Sequence, residues 1–451
     1  MGYQNIPTNL FEWLLSALVF IMIILVTYTR RAWHPFATPL MAALAIRTLA
    51  ALYHRFIDTL PRGGADAMSF EQRAWVWSQA GCGNLGPDLN LGASYVHSWI
   101  IANVYACTDR APLFFQMANV ALGVVTVYLV ARIAQELWDR EAGVRAAWIA
   151  TLYPFFIINS AVPLREVWFT AFFLLSVFWL VRWVRTWRLA YLFGAAAMTL
   201  PAAIIHGLAV FALGAMGLVV LFWGLLELLR GTTRVRKGIF IGAFTMVLAG
   251  SVGLPLLLDM RFSSIGEVGE LLERAETLDE RAEAARGGSA YPSYLAPAND
   301  AEMLVLTPIR MVYALFGPPP WEVRAPIHAL GTLDGLFYLA LVILLVRYRQ
   351  EWWHRREFRI LVGIFLVLTI VLAWGANNFG TVGRHRAKFL GILLALAAGL
   401  IGKRRWRDAR VMNLHRKTVR DSNKDYFSLA GGRHSVSLQN GRALRDGASR
   451  L

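Results

Sequence analysis

Long apolar runs separated by short polar clusters dominate the chain. A bilayer core needs about 20 largely apolar residues per helix, because backbone amides in lipid must be satisfied within the segment. The pattern therefore predicts an all-α fold, a polytopic transmembrane helix bundle of about eleven spans. These spans are 10–28, 36–56, 113–131, 143–161, 167–182, 189–206, 208–229, 238–258, 329–346, 358–375 and 387–402.

Residues 302–317 are also apolar, but the run is short and ends in Gly-Pro-Pro-Pro at 317–320. We expect an interfacial or re-entrant helix there rather than a crossing. Two long segments between the predicted spans, 57–112 and 259–328, are expected to form larger loops on the outer face. Each loop is predicted to carry an interfacial or surface helix, a Trp-rich one at 70–79 and an acidic amphipathic one near 267–283.

The basic residues predict the orientation of the bundle. No Lys or Arg precedes the first span, whereas Arg30 and Arg31 follow it, which favours a retained helix with the N-terminus outside. Alternation then places the C-terminus in the cytoplasm, with 30 of the 45 basic side chains on that side. We expect a multi-pass protein of the inner (plasma) membrane.

Composition narrows the class of protein. The 451 residues are 57% hydrophobic and only 16% charged, with a net charge of +16, which excludes a soluble globular domain and a disordered chain. Residues 403–451 form a basic tail of net charge +9, predicted to be disordered and held at anionic lipid, outside the bundle domain 1–402. The chain has no zinc spacing, phosphate loop or dinucleotide fingerprint, and we expect no nucleic-acid partner.

The two cysteines, Cys82 and Cys107, lie in the same outer loop. A disulfide is permitted there in an oxidising compartment. Two unpaired thiols fit the sequence equally well.

Ionisable groups near apolar spans are costly and are functional candidates for that reason. The first is Asp66, which follows two glycines just after the second span. Its carboxylate is suited to act as a general base or to hold a divalent ion. Taken alone, the residue fits the capping of the following helix better.

Arg165 and Glu166 lie at a turn between two apolar helices. They either cap the helix that follows, with Glu166 at its positive end, or place the Arg165 guanidinium against a lipid phosphate. The sequence does not separate these two interpretations.

Arg384, His385, Arg386 and Lys388 form a dense cationic group on the predicted outer face, against the positive-inside trend. Such a group is suited to bind phosphate or pyrophosphate, and a histidine exchanges protons near neutral pH. Contact with outer-leaflet lipid is the alternative. His206, near a helix end, is interpreted as a packed bundle histidine.

These elements together resemble the lipid-sugar-dependent glycosyltransferases of the GT-C type, including dolichyl-phosphate-mannose-type transferases and bacterial exopolysaccharide or O-antigen polymerase-like proteins. The resemblance covers most of 40–400. Five sequence elements carry the resemblance, because they follow one another in this order and are all predicted on the same side of the membrane. They are GADAMSFE (64–71), LYPFFIINSAVPLRE (152–166), GGSAY (287–291), FGPPPWE (316–322) and RHR (384–386).

The resemblance implies transfer of a sugar or oligosaccharide from a polyprenyl-phosphate or polyprenyl-pyrophosphate donor to a glycan or lipid-linked acceptor at the outer face. Arg165, Arg384 and Arg386 would bind the lipid phosphate, and the isoprenoid would lie in an apolar groove between helices. Asp66, Glu166 and His385 would be the catalytic residues, with Asp66 activating the acceptor hydroxyl.

No cofactor is certain, because Asp66 is not part of a DxD or ExD pair, and this argues against a divalent metal. Two other classes of function remain open. One is a transporter or flippase of lipid-linked oligosaccharide, although no internal repeat of spans is visible. The other is a non-catalytic subunit of an envelope polysaccharide assembly system.

Overall fold

The computed structural model describes residues 3–61, 64–85, 96–206, 208–229, 290–297, 299–323 and 326–401, which belong to one compact unit, residues 1–401. The predicted span 238–258, the acidic helix near 267–283 and the tail 403–451 lie outside the described residues. The first helices are α1 Leu10–Thr29, α2 Ala37–Phe56, α3 Ala65–Ser78, α4 Val96–Cys107, α5 Pro112–Leu137, α6 Arg140–Leu152, α7 Pro154–Ala161 and α8 Glu166–Thr186.

The remaining described helices are α9 Leu189–Ile205, α10 Leu208–Leu229, α11 Asp300–Phe316, α12 Pro326–Arg347, α13 Arg349–Trp352, α14 Arg356–Gly375, α15 Phe379–Arg386 and α16 Leu390–Ala397. The only β contact in the described ranges is an isolated bridge between Ala290 and Asn378.

Six of the described helices are long and apolar enough to cross a membrane. The chain is therefore an all-helical, polytopic integral membrane protein, and the predicted fold class is confirmed. The six are Leu10–Thr29, His34–Phe56, Pro112–Leu137, Glu166–Thr186, His328–Arg347 and Arg356–Gly375. Leu189–Ile205 and Phe211–Trp223 are shorter apolar helices.

Helix α5 is the centre of the bundle and packs against α1, α2, α6, α7, α8 and α16. Small residues let the neighbouring backbones approach it closely, as is typical of membrane interfaces. A Cβ added at Gly123 would lie 2.6 Å from the Cβ of Ser160, so only glycine allows α7 to pack at that point.

The predicted span 143–161 is not one continuous helix. It breaks at Tyr153, whose backbone is extended, and α7 starts at Pro154. Proline has no N–H to donate and disfavours helix in the residue before it. The carbonyl of Ala150, four residues before Pro154, therefore loses its helical donor.

Arg47, which interrupts the apolar pattern of α2, supplies the missing donors at this break. Its side chain is fully buried and its guanidinium donates to the carbonyl oxygens of Ala150 and Thr151, at 3.0 and 3.2 Å. An arginine is tolerated within the span because it satisfies backbone groups that lipid cannot.

The predicted final span 387–402 is also less regular than expected, because its regular helix is only α16, Leu390–Ala397. Its last carbonyls receive side-chain donors. Nε1 of Trp138 lies 3.1 Å from the carbonyl of Leu396, and Nε of Arg145 lies 3.1 Å from that of Ala398. These bonds fix the end of α16 to the end of α5 and to α6.

The first predicted outer loop contains the helix pair α3 and α4, and the structure joins Cys82 to Cys107 by a disulfide. The pair is tied to the start of α5 by the ion pair of Glu71 with Arg110, at 2.7 Å. Helix α3 includes most of the predicted Trp-rich helix.

Helix α11 covers the apolar run 302–317 and is fixed beside the end of α14. Arg310 is buried and donates to the carbonyls of Ala373 and Ala376, at 2.9 and 3.0 Å. Nearby, the Tyr313 hydroxyl donates to Glu322 and bonds that of Tyr294. Burial and these bonds raise the pKa of Tyr313, which keeps it a neutral donor.

The helix break predicts the effect of replacing Arg47. An Arg47→Leu substitution leaves the two carbonyls without donors, at a cost of about 1–3 kcal/mol for each buried group. We expect a clearly lower unfolding midpoint of the detergent-purified protein. Leu49→Ala, at an exposed position of the same helix, should leave the midpoint nearly unchanged. Equal midpoints for Arg47→Leu and wild type would contradict this role.

Candidate functional site

The connection between α7 and α8 carries Arg165 and Glu166, and α5 holds it in place. The amide of Asn119 donates to the carbonyls of Val162 and Leu164, at 2.6 and 3.0 Å. Its oxygen accepts from Nε1 of Trp168 at 2.7 Å. An extended connection has no helical partners of its own, so a buried side-chain amide satisfies it.

Glu166 is the first residue of α8 and is buried. Nε of Arg384 lies 3.1 Å from Oε1 of Glu166, and Nζ of Lys388 lies 3.9 Å from the same oxygen. A buried charge is tolerated only when it is paired, and the N-terminal end of α8 adds a favourable dipole. The carboxylate thus joins the start of α8 to the RHRAK segment.

Lys388 extends the site to two histidines. Its ammonium is fully buried, with Nζ 2.9 Å from Nε2 of His206 and 3.3 Å from Nδ1 of His385. The two imidazole rings meet edge to face with centroids 5.4 Å apart. When Lys388 carries its proton it only donates hydrogen bonds, and each histidine then accepts through the nitrogen that faces it.

Positive charge exceeds negative charge at this site. Arg165, Arg384 and Lys388 act on one carboxylate, that of Glu166. Among the described residues, no donor forms a well-aligned hydrogen bond to either oxygen of Glu166. The Arg384 side chain is about a quarter exposed, whereas the carboxylate oxygens of Glu166 are buried. The arrangement can therefore accept an anionic group at the exposed part of the arginine.

Arg165 connects this cluster to the first outer loop. Its guanidinium lies over the ring of Phe70, 5.3 Å from the centroid. Phe70 and Ala67, at the start of α3, pack against Val162 and Leu164. Asp66 lies one turn before Phe70 and is the second residue of α3, so it is not the N-cap, which is Gly64. Its side chain lies outside the described residues.

Arg386 is directed away from Glu166. It is buried, and its Nε lies 2.7 Å from Oδ2 of Asp334. The remaining N–H groups contact this carboxylate again and the carbonyls of Leu315, Gly317 and Gly331, at 2.6–3.0 Å. A guanidinium has five donors and all five are used here. The structure thus brings Arg384 to Glu166 and His385 to Lys388, and engages Arg386 at the end of α11.

Asp334 links Arg386 to an apolar cavity of about 400 Å³ between α6, α7 and α12. The hydroxyl of Tyr153, at the helix break, donates to Oδ1 of Asp334 at 2.6 Å. The other lining residues are apolar; they are Pro61, Ile149, Leu152, Pro154, Phe155, Ile158, Leu330, Leu333 and Phe337. Leu152, Leu330 and Leu333 are at least half exposed, so the cavity opens to the outside of the bundle.

Sequence reasoning did not identify the partners of three residues. His206 is buried within the bundle, as predicted, and its ring contacts Lys388 and His385. Asp334 could have been selected from the sequence, since it is the single carboxylate in the predicted span 329–346. Asn119 is likewise one of two amide side chains, with Gln116, in an otherwise apolar stretch of α5. A polar side chain within a span has to find a partner, and these partners organise the site.

Among the described side chains, no three or more His, Cys, Asp or Glu form a group suited to hold a metal ion. The side chain of Asp66 lies outside that set.

Two comparisons gave no match. No family model matches the chain. No curated protein matches it either.

Among solved structures, the chain is similar to the archaeal oligosaccharyltransferase AglB from Archaeoglobus fulgidus in complex with an inhibitory peptide and a dolichol-phosphate. The TM-score is 0.49 at 13% identity, covering 83% of this chain and 52% of that one. The apo oligosaccharyltransferase from the same organism gives 0.49 at 14% identity, covering 87% and 53%. The chain thus spans about half the length of these proteins. At this level of similarity, function has to be argued from the site itself.

The contact between Glu166 and Arg384 predicts energetic coupling. In a double-mutant cycle of Glu166→Gln and Arg384→Gln, we expect a coupling free energy of unfolding of about 1–3 kcal/mol, because the two side chains touch. The readout is the unfolding of the purified protein in detergent. A cycle of Glu166→Gln with Arg349→Gln, an exposed arginine on the other predicted face, should give a value near zero. Equal coupling in both cycles would argue against the pair.

Proposed function

We propose that the protein is a membrane glycosyltransferase that moves a sugar or oligosaccharide from a polyprenyl-phosphate or polyprenyl-pyrophosphate donor to an acceptor at the outer face. The observation that carries the proposal is a cationic cluster around one buried carboxylate, formed by Glu166, Arg384 and Lys388, near an apolar cavity. A lipid-linked sugar has the complementary chemistry, since it joins an anionic phosphate to a long apolar tail.

The phosphate is assigned to Arg165 and Arg384. A guanidinium fork matches phosphate oxygens, and the arginine of the Glu166 pair keeps an exposed portion. Negative charge that develops on the departing phosphate is stabilised by cations already held in place. Arg386 is assigned a positioning role instead, because its donors are engaged by Asp334 and backbone carbonyls.

The isoprenoid tail is assigned to the 400 Å³ cavity. Its walls are formed by α6, α7 and α12. Helix α7 leads into the Arg165–Glu166 connection, and α12 is bonded through Asp334 to α15, which carries Arg384. In the proposal, a lipid seated there directs its head group along these connections toward the cluster. The exposed leucines give the tail access from the bilayer.

In the proposed reaction, the acceptor oxygen attacks the anomeric carbon of the donor sugar. The bond between that carbon and the phosphate oxygen breaks, and the acceptor proton passes to the carboxylate of Asp66. Glu166, whose carboxylate is buried, holds Arg384 in position for the phosphate. His385, with Lys388 at its Nδ1, offers its other nitrogen as a donor to the phosphate.

A flippase of lipid-linked oligosaccharide is the second candidate. The interrupted pair α6–α7 favours it, because helices broken inside the bundle are common at transporter sites. Against it, the charged groups of the Glu166 cluster lie at helix ends rather than mid-span. The two functions differ in the fate of the donor, which a transferase consumes and a flippase only moves.

The transferase proposal predicts loss of product in three separate variants. Asp66→Asn, Arg165→Ala and Arg384→Ala should each abolish glycan production in a host lacking the native gene, at normal membrane levels. They remove the base or the cations that stabilise the leaving phosphate. Products and the uncleaved lipid donor are measured by mass spectrometry of the envelope fraction.

The matched control is Arg349→Ala, an exposed arginine outside the site, which should give wild-type product. Wild-type product in all three site variants would remove the assignment. In reconstituted vesicles with donor supplied on the outer side, a transferase forms product directly. A flippase forms none under those conditions.

The cavity assignment predicts a second effect. Leu333→Trp fills the apolar cavity, so the apparent affinity for the lipid-linked donor should fall about tenfold, which is the loss expected when roughly 1.4 kcal/mol of apolar contact is removed. Leu336→Trp, at an exposed position of α12 outside the lining, should leave it unchanged. Equal donor affinity for both variants would place the tail elsewhere.

A further inference from the structure

A second cationic cluster lies at the opposite end of the bundle from Glu166, and we propose that it binds the phosphate of an anionic phospholipid. It consists of Arg132 in the last turns of α5 and Arg182 and Arg185 in the last turns of α8, all directed at Glu136. The proposal is independent of the glycosyltransferase function.

The position of the cluster is that of a membrane surface. Arg182 and Arg185 lie 16 to 19 residues after Glu166 on the same helix, about 24–29 Å along its axis at 1.5 Å per residue. The hydrocarbon core is about 30 Å thick. With the Glu166 site at one surface, these arginines reach the other, which the charge distribution predicts to be cytoplasmic.

The cluster has an excess of two positive charges. Glu136 lies 3.7 Å from Arg132, 2.9 Å from Arg182 and 3.1 Å from Arg185 in their closest side-chain contacts. Within the described ranges, these arginines form no other ion pair. The neighbouring carboxylates are engaged elsewhere, since Asp139 caps α6 and Glu141 pairs with Arg145.

Aromatic rings hold two of the guanidiniums in a fixed orientation. Arg132 and Arg182 both stack on Phe178, at 5.7 and 4.8 Å from its centroid, and they also contact Tyr128 and Tyr191 respectively. Stacking uses the faces of a guanidinium and leaves its N–H edges for acceptors. Nε of Arg132 is buried, so an external acceptor reaches the exposed side chains of Arg182 and Arg185 instead.

A phosphodiester supplies negative charge to this positively charged cluster. It brings one negative charge and two unesterified oxygens, which fit the edges of Arg182 and Arg185; both side chains are about a third or more exposed. Basic pockets between membrane helices on the cytoplasmic side are suited to such head groups. The bilayer depth and the aromatic rim favour a lipid over a free anion.

The test is lipid binding to the detergent-purified full chain, measured by native mass spectrometry. The probes are phosphatidylglycerol and phosphatidylcholine with the same acyl chains. We expect the first phosphatidylglycerol to bind at least about tenfold more tightly. The double variant Arg182→Gln/Arg185→Gln should lose about 20-fold of that affinity, and Arg185→Gln alone about fivefold.

Two matched variants separate binding from folding. Arg347→Gln/Arg349→Gln removes the same charge from another loop and should bind phosphatidylglycerol as wild type does. Glu136→Gln breaks the ion pairs but raises the positive charge, so it should bind as tightly as wild type or more tightly. A network that serves only stability predicts that none of these changes alters lipid binding.

Three results would overturn the proposal. They are unchanged phosphatidylglycerol affinity in the Arg182/Arg185 variants, equal binding of both lipids to wild type, and displacement of phosphatidylglycerol by an equal concentration of inorganic phosphate. The last result would identify a site for a free anion.

Discussion

Interrupted helices inside a membrane protein leave carbonyl groups that lipid cannot satisfy, and this constraint governs the described structure. Three buried arginines meet it. Arg47 donates to the end of α6, Arg310 to the end of α14, and Arg386 to the end of α11. A cation at the C-terminal end of a helix also matches the helix dipole. Each arginine therefore joins two or more helices at a point where regular hydrogen bonding stops.

The Glu166 site is built on those junctions. Asn119 holds the connection that carries Arg165 and Glu166, while Arg386 fixes α15 so that Arg384 lies against Glu166. Two arginines in one RHR element thus have different duties. Arg386 has all its donors engaged in the protein, whereas Arg384 is partly exposed and shares a carboxylate with Lys388. A phosphate ligand requires a partly exposed cation such as Arg384.

Much of the architecture and part of the site could be predicted from residue patterns. The apolar runs predicted the six long helices, and the charged residues selected as candidates include Arg384 and Glu166, which the structure places in contact. The break at Tyr153–Pro154 was not predicted, because the span was assigned from hydropathy. Hydropathy does not detect that Pro154 has no backbone N–H to donate. The partners of His206, Asp334 and Asn119 were not predicted, because each partner is distant in sequence.

The sequence by itself determined the class of protein, an all-helical chain in a membrane, because the length and apolarity of a segment decide whether it can lie in lipid. It also identified the charged residues near apolar spans, which are costly there and are therefore functional candidates. Only the tertiary structure decided which of them share a site. An arginine's task depends on its acceptors, and the carbonyls around Arg386 and the carboxylate beside Arg384 come from helices that meet only when the bundle is packed.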